Sequence, residues 1–167
     1  MIYLLDSNSF IEANNRHYRM PVVPGFWEWL TRPHDNIMIQ SIIPVLKELT
    51  KETRKPDELS RWAAENKALF IPVDDDSTQL IFKKIAKYVN AHQIYARREI
   101  GHFLAGADPW LIAAAKNLSA CIVTHEVPVA DDSKKVKIPN IAKIFDVEYL
   151  DVFDLLESNS VELILAN

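Results

Sequence analysis

Residues 2–8 read Ile2-Tyr3-Leu4-Leu5-Asp6-Ser7-Asn8, a short apolar run followed at once by side chains that often cap helices. The run has no helical period, and the polar residues after it favour the start of a helix. This stretch therefore predicts a buried strand that leads directly into a helix, with Asp6 at the junction.

The alternation of strand and helix continues along the chain. Extended runs are predicted at Ile37-Met38-Ile39, Phe70-Ile71, Ala120-Cys121-Ile122-Val123, Lys135-Val136-Lys137-Ile138 and Val147-Glu148-Tyr149. Apolar spacing and helix-start residues predict helices over residues 26–30, 42–55, 57–66, 80–89, 94–103 and 110–118, near residue 140 and after residue 151. Because parallel strands need a crossover helix between them, this order predicts an α/β layer fold with a mainly parallel sheet.

Composition limits the classes of protein to which the chain can belong. Its 167 residues suit one domain, and 49% hydrophobic residues exclude a mainly disordered chain. Cys121 is the single cysteine, which excludes an intramolecular disulfide and favours a reducing compartment such as the cytoplasm. No signal peptide or membrane span is predicted, because the apolar stretches are shorter than about 20 residues. The net charge of −4 disfavours bulk attraction to nucleic acid, so a polyanion must be bound by a local patch.

Three carboxylates lie at the ends of predicted elements, where the sites of parallel sheets form. Asp6 follows the first strand, Asp108 opens the apolar helix at 110–118, and Glu126 follows the strand that ends at residue 123. Glu48 lies on the helix after residue 42, about 110° from the centre of its apolar stripe. Four converging carboxylates repel one another unless a cation intervenes, and oxygen ligands alone select magnesium or manganese.

Each of these acids also has a structural explanation. Asp6 and Asp108 each stand at the start of a predicted helix, so both are candidate N-caps. Glu48 taken alone is typical of a solvated helix residue, and Glu126 is typical of a loop acid. The order and setting of the four favour a metal site. The run Asp74-Asp75-Asp76, in contrast, is assigned to helix capping and solvent.

Four segments around these acids form a recognisable set. They read Leu4-Leu5-Asp6-Ser7-Asn8, Leu46-Lys47-Glu48-Leu49, Ala107-Asp108-Pro109-Trp110-Leu111-Ile112-Ala113 and Val123-Thr124-His125-Glu126. The set resembles the PIN-domain nuclease family and is most similar to the VapC-type bacterial toxin ribonucleases. The stretch Phe26-Trp27-Glu28-Trp29-Leu30 resembles an uncharacterised PIN-like subgroup. The resemblance implies one PIN-like domain over residues 1–167, with a three-layer α/β/α fold.

The resemblance also implies a function, that of a magnesium- or manganese-dependent endoribonuclease, the toxin of a bacterial toxin–antitoxin pair. The catalytic and metal-binding acids that it implies are Asp6, Glu48, Asp108 and Glu126, supported by the polar residues Ser7, Asn8 and Thr124. Glu126 departs from the family pattern, which has an Asp two residues after the Thr. The partners implied are an RNA substrate, a cognate antitoxin and, because dimers are common in the family, a second copy of the chain.

A basic helix face adjoins the predicted site. On the helix wheel, the basic side chains beside Glu48 are Lys47, Lys51, Arg54 and Lys55. Contacts from such residues to phosphates supply affinity with little sequence information. A merely solvated helix face explains them equally well.

Other functions remain open at this stage. Because Glu126 departs from the family pattern, the main alternative is a catalytically weak PIN-like protein that acts as an RNA- or protein-interaction module. An aspartyl phosphatase fits less well, because it requires a second Asp where Asn8 stands. A second expectation concerns Trp27 and Trp29, which cannot share one helical face, so one is predicted in the core and the other at the surface or in an interface.

Overall fold

The computed structural model describes residues 1–51 and 57–164. Within these ranges five parallel strands form one sheet in the order β3-β2-β1-β4-β5. The strands are β1 (Ile2–Leu5), β2 (Met38–Ile42), β3 (Phe70–Ile71), β4 (Cys121–Val123) and β5 (Tyr149–Leu150). The predicted α/β class with a mainly parallel sheet is confirmed.

Helices connect the strands and flank the sheet. The α-helices in the described ranges are α1 (Ser7–Glu12), α2 (Pro24–Thr31), α3 (Ile43–Leu49), α4 (Glu58–Glu65), α5 (Asp76–Ala91), α6 (Arg97–Ala105), α7 (Asp108–Leu118), α8 (Ile138–Ile144) and α9 (Val152–Ser158), and Ala13–His17 and Lys67–Leu69 form a π-helix and a 3-10 helix. Parallel crossovers are right-handed, so connections that lead outward from β1 in opposite directions place helices on opposite faces. The result is the predicted three-layer α/β/α arrangement. Within the described part of the chain, no helix is both long enough and apolar enough to cross a bilayer.

Strand β1 lies at the centre of the sheet. Tyr3 is in register with Ile39 of β2 and with Cys121 of β4, and the side chains of β1 from Tyr3 onward are buried. From β1 the chain builds outward through β2 and β3, then returns to the other side of β1 to form β4 and β5. The strand order therefore reverses between β1 and β4, and ligands of parallel sheets bind beyond the carboxyl ends of strands at such a switch point.

Helix α7 packs against β1, β2 and β4 and against α5. Leu111 and Ile112 are fully buried, and Trp110 stacks on Phe82 of α5 with ring centroids 3.8 Å apart. A crossover helix runs antiparallel to the strands of its sheet, so the helix that leads into β4 begins at the carboxyl edge. Asp108, the first residue of this helix, therefore lies at the same carboxyl edge of the sheet as Asp6.

Three predictions are wrong. The helix predicted over residues 42–55 ends at Leu49 as α3, because the Thr50 backbone N–H and hydroxyl both bond to the carbonyl of Leu46 and the chain leaves the helix there, with Lys51 outside it.

Residues 135–138 form no strand in the described sheet: Val136 is buried, but Lys137 is the extended residue before α8 and Ile138 begins that helix. The alternating pattern arises because Val136 and Ile138 are buried in the core, while the segment does not pair with a strand of the described sheet. Trp27 and Trp29 are both 4% exposed. Helix α2 is covered on more than one face, since Trp27 packs edge-on against a ring of α4 while Trp29 packs against the loop after α2.

Candidate active site

Asp6 occupies the junction between β1 and α1. Its backbone N–H donates to the carbonyl of Val123 at 2.9 Å, which continues the pairing of β1 with β4 by one residue. The side chain is 1% exposed and makes no capping hydrogen bond to α1. Its Oδ2 instead accepts from the Thr124 hydroxyl at 3.0 Å, and its Oδ1 accepts from the Ser7 hydroxyl at 3.3 Å. Helix capping therefore does not explain this aspartate.

The surroundings of Asp6 disfavour its charged form. The pKa of its carboxyl is raised from 3.8 to about 6, chiefly by burial, with the hydrogen bond from Thr124 opposing the shift and the charges of Glu126 and Glu48 adding to it. Three of the four predicted acids are thus close enough to influence one another. A buried carboxylate in this position is stabilised by a proton or by a cation.

Asp108 is the first residue of α7, and the N-cap position before it is occupied by Ala107, so Asp108 is not the N-cap of this helix. The pKa of its carboxyl is raised from 3.8 to about 8, chiefly by burial and then by the charges of Asp6, Glu126 and Glu48, while the ammonium of Lys137 partly opposes the shift. The other three predicted acids therefore all contribute to the electrostatic environment of Asp108. The structure brings together side chains that are up to 120 positions apart in the sequence.

Glu48 is held by the turn between α6 and α7. It lies in the last turn of α3, and its Oε1 accepts from the backbone N–H of Ala107 at 2.9 Å. A Cβ on Gly106 would lie 3.3 Å from the same oxygen, so the absence of a side chain there leaves room for the carboxylate. This contact fixes Glu48 beside the residue that precedes Asp108. The solvated-helix explanation accordingly does not fit Glu48.

Glu126 is engaged in a different way. Its backbone N–H donates to the Thr124 hydroxyl at 3.1 Å, and its Oε2 accepts from the backbone N–H of Ile138 at 2.8 Å. Its Oε1 is ion-paired with the ammonium of Lys137. The Glu126 side chain is 11% exposed and that of Lys137 is 33% exposed. Both oxygens of Glu126 therefore already have partners on the segment that enters α8.

Sequence reasoning missed Lys137. The alternation of Lys135-Val136-Lys137-Ile138 predicts a strand, so it does not assign Lys137 to the site. The signal that points to it is a group of lysines 8 to 11 residues after Glu126, at positions 134, 135 and 137.

Sequence reasoning also missed two serines near the site. The Ser9 hydroxyl donates to the carbonyl of Val123 at 2.8 Å, and the Ser41 hydroxyl donates to the carbonyl of Leu5 at 2.6 Å. Both bind backbone oxygens at the carboxyl edge that carries Asp6.

The donor chemistry suits a hard divalent cation, since carboxylate oxygens and hydroxyls are the groups available. The raised pKa values of Asp6 and Asp108 show that burial and mutual repulsion disfavour their charged forms, which a bound cation would stabilise. Among residues 1–51 and 57–164, however, no three His, Cys, Asp or Glu side chains stand in an arrangement that could hold a metal ion. Glu48 and Glu126 are each bound to another partner. An ion would therefore require rotation of side chains in this cluster.

Residues 3–163 match the protein family described as Domain of unknown function (DUF4411). The chain belongs to the DUF4411 family. None of the curated proteins matches it significantly.

Two solved structures share the fold of the DUF4411 chain. One is the structure of VapBC-1 from nontypeable Haemophilus influenzae, with a TM-score of 0.56 and 18% sequence identity over 90% of this chain and 98% of that chain. The other is VapBC2 from Rickettsia felis bound to a DNA fragment from their promoter, with a TM-score of 0.57 and 16% identity over the same shares of each chain. At these identities the likeness concerns the fold, and it confirms the predicted VapC-like PIN fold.

The remaining predicted residues of the DUF4411 chain differ in whether they contact the acids. Ser7 and Thr124 are buried and contact Asp6, whereas Asn8 is exposed and, in the described part of the chain, makes no hydrogen bond to the four acids. Lys47 and Lys51 are exposed at the end of α3 and just beyond it. Arg54 and Lys55 lie outside the described residues.

Proposed function

We propose that this DUF4411 chain is a divalent-metal-dependent endoribonuclease that hydrolyses RNA phosphodiester bonds in the cytoplasm. The observation that carries the proposal is the pair Asp6 and Asp108. Asp6 is the N-cap residue of α1 but makes no capping hydrogen bond, Asp108 is the first residue of α7 and not its N-cap, and both have pKa values raised by burial and by other carboxylates. Burying neighbouring acids at the switch point of a parallel sheet lowers the stability of the fold. A binding site for a cation and a phosphate accounts for their presence there.

Asp6, Glu48 and Asp108 are the proposed ligands of a magnesium or manganese ion. When bound, such an ion lowers the pKa of an attacking water and offsets charge on the phosphate. Neighbouring groups of the chain orient two of these proposed ligands. Hydrogen bonds from Ser7 and Thr124 orient Asp6, and the Ala107 N–H orients Glu48. Burial of Asp6 keeps bulk water from competing for its oxygens.

RNA binding is proposed to depend on a local patch, because the chain as a whole carries a net charge of −4. Lys47 and Lys51 are exposed on the segment that carries Glu48, so a phosphate chain that reaches the acids passes close to them. The likeness to VapBC structures supports the further proposal that the chain is the toxin of a toxin–antitoxin pair, bound by a cognate antitoxin and able to form homodimers.

The test is cleavage of mixed single-stranded RNAs by the purified chain with manganese, with magnesium and with a chelator. We expect cleavage with either metal and none with the chelator. Asp6→Asn and Asp108→Asn are each expected to reduce the rate about 100-fold, since disturbing a metal site costs at least that order of activity. Asp74→Asn, which changes an exposed acid before α5, is the matched control and should retain the wild-type rate.

Two outcomes would contradict this assignment. Cleavage that survives both the chelator and the Asp6→Asn substitution would exclude these acids as the catalytic centre. RNA that is bound but left intact under every metal condition would instead favour the interaction module, the alternative that the unusual Glu126 raises.

A further inference from the structure

Lys137 places a positive charge inside an otherwise acidic cluster. Its ammonium is paired with Oε1 of Glu126, while the backbone N–H of the next residue, Ile138, donates to Oε2. A lysine ammonium has three donors, and this one is 33% exposed, so it can still reach a ligand. The Glu126 side chain is only 11% exposed, so it is less able to move or to reach a ligand.

The charge of Lys137 also acts on a second acid. Its ammonium partly offsets the rise in the pKa of the Asp108 carboxyl. Glu99 of α6 is near enough to raise the pKa of Lys137 itself. Of the salt bridges among the described residues, the one between Lys137 and Glu126 is the only one that includes a predicted site acid. The acidic cluster thus contains a cation of its own.

We propose, building on the proposed function, that Lys137 is a resident cation of the active site. It keeps Glu126 as its counter-ion, so that the divalent ion is held by Asp6, Glu48 and Asp108 without Glu126. Its remaining N–H groups bind a phosphate oxygen of the RNA. Glu126 is then a positioning residue for Lys137, and Lys137 is the residue that contacts the substrate.

Two physical arguments support this assignment. Direct metal binding by Glu126 would require it to leave both the ammonium and the Ile138 N–H, and separating a largely buried ion pair is costly because each charge loses its compensation. RNA phosphates are repelled by the carboxylates around the site. A cation fixed among those carboxylates attracts a phosphate to the place where cleavage is proposed.

The first test measures manganese binding by titration calorimetry without RNA. If Glu126 is not a ligand, Glu126→Gln should leave the dissociation constant within about threefold of wild type, well short of the 10- to 100-fold typical of a disturbed metal site. Lys137→Met removes the competing cation and frees Glu126, so binding should tighten about tenfold. That gain should disappear in the double variant Lys137→Met/Glu126→Gln.

Controls separate charge from folding. Lys137→Arg keeps the positive charge and should retain an affinity close to wild type. Lys135→Met removes an exposed lysine two residues away and should change nothing. Circular dichroism and melting temperature identify any variant that does not fold, in which case the arginine variant and Glu126→Gln still decide the question.

The second test measures binding of a short single-stranded RNA to the same variants in the presence of a chelator, over a range of salt concentrations. Loss of one phosphate contact reduces the slope of log affinity against log salt by about 0.7 for a single strand. We expect this reduction for Lys137→Met and an unchanged slope for Lys137→Arg and Lys135→Met.

The outcomes distinguish this inference from the proposed function. Manganese binding by wild type together with a loss greater than about tenfold in Glu126→Gln would make Glu126 a metal ligand and overturn the inference alone. An unchanged salt slope in Lys137→Met would overturn the phosphate contact. A wild-type chain that neither binds manganese nor cleaves RNA would overturn the proposed function, and the inference with it.

Discussion

At the scale of single residues, the aspartates show how one residue type serves two purposes. Asp57, Asp75 and Asp151 each precede a helix, and each accepts a hydrogen bond from the backbone N–H three residues later, at 2.8 to 2.9 Å. Asp6 is also an N-cap residue, yet its side chain makes no such bond, and Asp108 lies one position inside α7, after the N-cap residue Ala107. Only the second pair is surrounded by other carboxylates. The assignment of the 74–76 run to capping is confirmed by Asp75.

The raised pKa values of Asp6 and Asp108 predict a pH dependence of stability in the metal-free protein. Both carboxyls hold their protons to higher pH in the folded chain, at about 6 and about 8, than the ordinary value of 3.8. The folded state therefore binds more protons than the unfolded state above pH 4. The free energy of unfolding should fall as the pH rises from about 4 to 8, by about 1.4 kcal/mol for each unit of a raised pKa.

Urea unfolding with a chelator at pH 5 and pH 8 measures this effect. Asp6→Asn and Asp108→Asn should each reduce the difference between the two pH values, because the amide does not titrate. An equal difference in wild type and in both variants would show that other groups cause it.

At the scale of elements, α7 couples the core to the site. Its middle is buried against the central strands, while its first residue stands among the acids. Gly106 and Ala107 precede it, and they leave room for Glu48 and bind it. The helix therefore positions Asp108 directly and Glu48 through the preceding turn.

A core substitution in α7 should be costly, while one at its exposed end should not. Leu111 is fully buried, so Leu111→Ala is expected to reduce the free energy of unfolding by about 2–5 kcal/mol through lost burial and a cavity. Leu118 of the same helix is 37% exposed, and Leu118→Ala should cost less than about 1 kcal/mol. Urea denaturation compares the two. Equal losses would mean that α7 is not anchored through its buried face.

At the scale of the whole molecule, the site depends on the central position of β1. Asp6, which directly follows β1, accepts a hydrogen bond from the hydroxyl of Thr124, which directly follows β4 and lies 118 positions away. β1 also pairs with β2 on its other side. The two halves of the sheet therefore share one strand, and neither half can be removed without exposing it.

This shared strand predicts one cooperative unfolding transition, as expected for a single domain over residues 1–167. Tryptophan fluorescence and far-ultraviolet circular dichroism, followed through the same urea titration, should report the same midpoint. The tryptophans are well placed for this, with Trp27 in α2, Trp62 in α4 and Trp110 in α7. Two separated midpoints would contradict the single-domain prediction.

Much of this could be predicted from the sequence, because the signals are local. Hydrophobic spacing indicated the alternation of strands and helices, and the residues at strand ends pointed to Asp6 and Glu126. The predictions failed where the same local pattern suits two environments. The alternation at residues 135–138 marks burial of Val136 and Ile138 as well as it would mark a strand. Burial of both Trp27 and Trp29 depends on which neighbours cover α2.

The sequence by itself determined the fold class, since strand and helix formation follow from periodicities of a few residues, and it identified the four acids as candidates. Only the tertiary structure decided which partner each acid has. Thr124 bonds to Asp6, Ala107 bonds to Glu48, and Lys137 pairs with Glu126. These contacts depend on the path of irregular segments between elements. No residue periodicity describes such a path, so packing and charge compensation in the folded chain determine it.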